Sequence, residues 1–112
     1  MEHPIQITFH GMDSSAALDA AIRERAAKLD NFHHHVMSCR AVVEEVARHK
    51  KQGKEFTVRL DIKVAGGEVA ISRDHSEDPF IAVRDAFDAA RRKLEDLARR
   101  QRGDVKVKPS QA

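Results

Sequence analysis

Arg84, Arg91, Arg92, Arg99 and Arg100 recur through the last third of this 112-residue chain. A guanidinium is planar, permanently charged and able to donate paired hydrogen bonds to one phosphate. Arginines repeated along a helix therefore suit the capture of a polyanion. Each phosphate they neutralise releases counterions, so such binding falls steeply with salt. Residues 91–108 carry eight basic against three acidic residues, a net +5 out of a whole-chain +2, which leaves about −3 for the remainder. A basic patch on a near-neutral body makes an oriented electrostatic contact. The plainer reading is a charged face that only solvates its helix; the crowding toward Arg99–Arg102 favours a phosphate-binding face. Structured RNA is the expected ligand, recognised by shape and backbone. Five Phe with no Tyr or Trp argue against an array of exposed rings for reading single strands.

Other reactive residue types lead nowhere so definite. His33, His34 and His35 are consecutive, and neighbours on an extended segment point in opposite directions, so they read as turn residues; a pH-sensitive RNA contact is the alternative. No metal site is expected, because no CxxC, HxxxH or HExxH accompanies them. Glu44 and Glu45 are strand neighbours facing opposite sides, not a catalytic dyad. Lys50, Lys51 and Lys54 read as a solvated hairpin tip, or else a secondary phosphate contact. Gly66-Gly67 is not a phosphate cradle, since no helix N-terminus follows it directly. The lone Cys39 has no disulfide partner and reads as a small apolar strand residue. No enzyme, cofactor or small-molecule substrate is expected.

The elements that must hold the arginines are visible in the hydropathy pattern. Ile5, Ile7 and Phe9 alternate as a first strand. Asp13, Ser14 and Ser15 offer N-caps to a helix carrying Leu18, Ile22, Ala26 and Leu29 to about Asp30. Asn31 is expected to end that helix in a left-handed conformation, and Phe32 to fold back onto the core. Met37, Cys39, Ala41 and Val43 alternate in a second strand over 36 to about 48, with residues 48–54 as a hairpin loop. Phe56, Val58, Leu60, Ile62 and Val64 define a third strand, and Val69 and Ile71 a fourth after a turn at Gly66-Gly67. Residues 73–79 read as a loop. The final helix buries Phe80, Val83, Phe87, Ala90, Leu94 and Leu97 in one stripe, with Arg84, Arg91, Arg92 and Arg99 on another face, and ends at Gly103. Residues 1–102 then form one domain and 103–112 a flexible polar tail. The fold class is α+β in the order β-α-β-β-β-α, a four-stranded sheet with two helices on one face. Its α-β-β-β-α portion has the order of a double-stranded-RNA-binding domain. No signal peptide or apolar run of about 18 residues is present, so a cytoplasmic protein is expected and no membrane is involved.

Several segments together resemble the ribosome hibernation promoting factor / ribosome-associated inhibitor family, also described as sigma-54 modulation proteins, in its short form. Ala17-Leu18, Ile22, Arg25, Lys28-Leu29 and Phe32 are similar to that family's first helix, which ends in Ala-Lys-Leu and an aromatic. Gly66-Gly67-Glu68-Val69 resembles its Gly-Gly-Glu-Ile turn. Asp78-Pro79-Phe80-Ile81-Ala82-Val83 resembles the Asp-Met-Tyr-x-Ala-Ile that opens its last helix. The match spans about residues 4–102. The resemblance implies binding to the small ribosomal subunit and its rRNA in the decoding region, across the mRNA and tRNA sites, so that translation is inhibited and idle ribosomes are preserved under stress or in stationary phase. It implies basic contacts at Arg25, Lys28 and Arg92. The chain departs from the family pattern at Asp19, Ala89-Ala90 and Asp96, where basic residues or Lys-Leu are usual, and Arg84, Arg91, Arg99 and Arg100 would compensate by shifting the patch. The long class carries a C-terminal dimerisation domain; none is expected here. Two alternatives remain: binding structured RNA away from ribosomes, and regulating transcription through a protein partner.

Overall fold

In the computed structural model, which describes residues 1–33, 36–47 and 53–103, the alternating segments become β1 (Gln6–His10), β2 (Val36–Ala47), β3 (Lys54–Val64) and β4 (Gly67–Ser76). The two helical patterns become α1 (Ala16–Phe32) and α2 (Pro79–Arg102). The order β-α-β-β-β-α and the α+β class are those expected. The sheet runs β1-β2-β3-β4, with β1 parallel to β2 and the other pairs antiparallel. The parallel pair is made possible by the α1 crossover, because parallel strands cannot be joined by a tight turn. Both helices cover one face of the sheet around a single core. Leu18, Ile22, Ala26 and Leu29 reach it from α1, Cys39, Ala41, Val43, Val58, Leu60 and Ile62 from the sheet, and Val83, Phe87, Ala90 and Leu94 from α2.

Local chemistry sets the helix ends. Ser15 caps α1, its Oγ accepting from the Leu18 amide at 3.1 Å. Asp78 caps α2, its Oδ1 accepting from the Phe80 amide at 2.8 Å, and Pro79 follows where a missing N–H costs nothing. Gly103 closes α2 in the left-handed conformation at φ 76°, its amide donating to the Arg100 carbonyl.

The structure corrects the sequence-based expectations at several points. Asn31 does not end α1; the helix continues through Phe32, and His33, at an extended φ of −125°, donates its amide to the Leu29 carbonyl at 2.8 Å. Phe32 is 40 % exposed instead of folded into the core. The alternation of β2 breaks at a bulge: Val36 pairs with Val64 and Ser38 with Lys63, so Met37 is the extra residue and Val36 takes the buried place. Residues 73–76 are strand, not loop. A second irregularity, between Phe56 and Val58, lets β4 continue pairing to Ser76 through backbone bonds that polar side chains do not announce. Phe80 sits in the first turn of α2 and stays 45 % exposed, Leu97 is only half-buried, and the buried stripe is widened instead by Ala82, Ala86 and Ala89. The expected hairpin loop at 48–52, His34 and His35, and the tail from Asp104 onward lie outside the described residues.

Candidate nucleic-acid interface

The covering helices pack side by side, and the seam between them opens to solvent as a small groove of about 170 Å³. Helical spacing decides what lines it. On α1, Arg25, Lys28 and Phe32 share the edge of the buried stripe that includes Leu29; on α2, Asp88 and Arg91 flank buried Phe87. Three cations from two helices thus converge on one groove, against the single carboxylate of Asp88. The Arg91 guanidinium lies over the Phe32 ring, 4.7 Å from its centroid. At an exposed site such a contact is worth roughly 0.5–1 kcal/mol, enough to favour one orientation of a long side chain. Lys28 meets Glu24 at 3.3 Å, but both side chains are largely exposed, and such pairs contribute little. Arg25 makes no ion pair among the described residues.

The remaining arginines of α2 do not form one stripe. Arg84 stands two turns before Arg91 on the same side and leans on Asp85 at 3.1 Å. Arg92 and Arg99, also seven residues apart, occupy the outer face. Arg92 is exposed and makes no ion pair among the described residues, whereas Arg99 is held by Glu95 at 3.4 Å and by Asp96. Arg100 lies two turns after Lys93, on the flank that borders β4, where Lys93 Nζ donates to the Ala70 carbonyl at 3.4 Å. The structure therefore gathers Arg25, Lys28 and Arg91, sets Arg84 beside them, and separates Arg92 and Arg99 from Arg100. Arg99, Arg100 and Arg102 occupy the last turn of α2, where the helix dipole favours cations.

Sequence reasoning did not find Phe32 and Asp88 as groove residues. Phe32 read as core because it is large and apolar, and only the packing of α2 against α1 shows its outward place. Lys93 had a signal in its two-turn spacing from Arg100.

A larger concavity of about 650 Å³ lies against the sheet face opposite the helices. It is a poorer polyanion site because its charges balance. Arg40 stands in register opposite Asp61, and Lys63 Nζ approaches Glu68 at 3.7 Å. Cys39 faces the core, and burial, aided by the charge of Asp61, pushes its thiol up to about 12, so it offers no thiolate for chemistry. Among the described residues no cluster of three His, Cys, Asp or Glu side chains could hold a metal ion, and no helix is long and apolar enough to cross a membrane.

Comparison with known proteins adds an independent line. Residues 5–102 match the family model described as sigma 54 modulation protein / S30EA ribosomal protein. Among solved structures, the chain is similar to a ribosomal subunit interface protein from Coxiella burnetii, with a TM-score of 0.70 and 17 % identity over 84 % of this chain and 96 % of that one. It is also similar to the N-terminal domain of Protein Y from Thermus thermophilus, with a TM-score of 0.65 and 16 % identity over 85 % of this chain and 99 % of that one. At these identities the likeness speaks for the fold. A comparison with curated protein sequences finds no match.

Proposed function

We propose a ribosome-bound role for this chain, which belongs to the sigma 54 modulation protein / S30EA ribosomal protein family. It acts as a translation inhibitor and hibernation factor that seats its helical face on the rRNA of the small subunit in the decoding region. There it excludes mRNA and tRNA by occupancy. The observation that carries this reading is the convergence of Arg25, Lys28 and Arg91 from two helices onto one groove, with Arg84 alongside and Arg92, which makes no ion pair among the described residues, on the adjoining face. Two rigid helices present these cations at fixed separations, which is what recognition of a folded phosphate backbone needs. Arg99 can join after releasing Glu95 and Asp96, a step that costs no more than about 1 kcal/mol for each exposed pair. Arg100 touches a different stretch of backbone from the groove residues. The chain's own part is steric and electrostatic, with no bond made or broken.

The test is sedimentation of the purified protein with intact ribosomes and with separated subunits across a salt series, with duplex RNA as competitor. The expected result is saturable binding to the small subunit, weakened by salt, resistant to duplex, and abolished in the triple variant Arg91→Glu, Arg92→Glu, Arg99→Glu, which stays folded. Displacement by free duplex would favour a non-ribosomal RNA target. Binding indifferent to salt, or a triple variant that still sediments normally, would overturn the assigned face.

A further inference from the structure

The groove between the helices holds more than phosphate chemistry. Phe32 is a large aromatic left 40 % exposed at a helix end, and the Arg91 guanidinium covers its ring at 4.7 Å. A guanidinium plane supported in this way is a stacking surface, since unpaired bases stack on arginine planes as well as on aromatic rings. Arg25 and Lys28 rim the same groove from the other helix. Asp88 is the one carboxylate there and can accept from ring N–H or exocyclic amino groups. At about 170 Å³ the groove is smaller than the roughly 300 Å³ at which small-molecule pockets begin. It suits one ring system entering from an extended strand.

We propose that the groove is a nucleotide pocket: one unpaired, splayed-out RNA base stacks on the Arg91–Phe32 pair while its two flanking phosphates meet Arg25 and Lys28. The inference rests on the ribosome-binding reading and deepens it, adding recognition of a single-stranded feature to a surface otherwise suited to backbone shape. The scarcity of rings in the chain excludes an array of stacking sites but not one platform. The three cations gathered here select a nucleotide over an uncharged aromatic ligand.

The chain has no Trp or Tyr, so a fluorescent base can be followed without protein background. The probe is a short single-stranded RNA carrying one central 2-aminopurine, titrated with the full-length protein. The expected result is a saturable change in 2-aminopurine emission that is absent when the same RNA is annealed to its complement. Arg91→Lys keeps the charge and loses the plane, while Phe32→Leu keeps Arg91 and removes its support. Each should weaken the emission-detected affinity at least about fivefold, the lower end of one stacked base, and circular dichroism checks that both are folded. No emission change with wild-type protein, an equal response from the duplex, or wild-type responses in both variants would each overturn the pocket. Ribosome sedimentation of the wild-type protein is read in parallel. Sedimentation without an emission change refutes the pocket alone; an emission change without sedimentation refutes the ribosomal setting and keeps the pocket.

Discussion

Removing the three groove cations should flatten the salt dependence of ribosome binding by a calculable amount. In the variant Arg25→Ala, Lys28→Ala, Arg91→Ala, three charges that converge on one groove are lost, and none of them holds the core together. Each phosphate contact contributes about 0.9 to the slope of log K against log salt. With the Arg91 plane on a base, the two phosphate contacts of Arg25 and Lys28 remove about 1.8 from that slope. Between about 50 mM and about 200 mM salt, a fourfold change, the wild-type affinity should fall roughly 12-fold more than that of the variant. The fold should survive: exposed substitutions usually stay within about 0.5 kcal/mol, and the Arg91–Phe32 contact adds only roughly 0.5–1 kcal/mol. Arg23 supplies the control. It lies on the same helix, is paired with Asp19 at 2.6 Å and does not line the groove, so Arg23→Ala should leave the slope unchanged. The assay is the sedimentation titration repeated at each salt concentration. Parallel lines for wild type and triple variant would show that the groove cations touch no phosphate, and the argument from convergence would be wrong even if binding were weaker at every salt.

Two further outcomes test the scaffold. Gly66 turns the β3–β4 hairpin at φ 86°, and a Cβ there would lie 2.5 Å from Gln101 Nε2, which itself donates to the Ala65 carbonyl at 2.9 Å. Gly66→Ala should therefore destabilise by about 1–3 kcal/mol in urea denaturation, partly relieved by adding Gln101→Ala; an unchanged midpoint would refute the strain. The Cys39 thiol is raised from 9.0 to about 12, first by burial and then by Asp61, so alkylation of the native protein below pH 9 should run about a thousandfold slower than that of an exposed thiol. Labelling of native protein at the rate of urea-unfolded protein would show that the strand opens readily. The sign of the linked pH effect follows: the unfolded chain loses this proton above about 9 while the folded chain keeps it, so stability from this group is full below 9.0 and falls as pH climbs toward about 12.

Much of the fold was legible because its signals are local. The α1 residues expected inside, Leu18, Ile22, Ala26 and Leu29, are the ones buried, and Ser15, one of the three N-caps on offer, is the one that caps α1. What escaped depends on partners distant in sequence. The bulge at Met37 is a property of pairing with Val64 and Lys63, not of the β2 sequence. The extension of β4 to Ser76 relies on backbone bonds to the start of β3. Apolarity alone places Phe32 and Phe80 inside, but each stands at a helix end and stays 40 % and 45 % exposed. The same limit applies to the arginines. Helical spacing says which share a side of α2, and only its packing against α1 says that the side of Arg91 meets Arg25 and Lys28.

The distribution of compensated charge gives the molecule a direction. On the open sheet face, Lys63 meets Glu68 and Arg40 stands opposite Asp61, so that face has little field to offer a polyanion. On the helical side, Arg25 and Arg92 lack acid partners among the described residues, Arg91 is turned onto a ring, and Asp88 is the only carboxylate in the groove. On the adjoining outer face of α2, Asp96 and Glu95 restrain Arg99. These acids thus quiet one face of α2 while leaving the groove side charged. A protein partner held by apolar contact would need a continuous apolar patch. Among the described residues the exposed large hydrophobics are Met1, Phe32, Phe80 and Ile81; Phe32 is covered by Arg91, and Phe80 and Ile81 stand at the opposite end of α2 from its basic last turn. The surface is therefore organised by charge, and the side of the molecule on which that charge is left uncompensated is the side where two helices can hold it still.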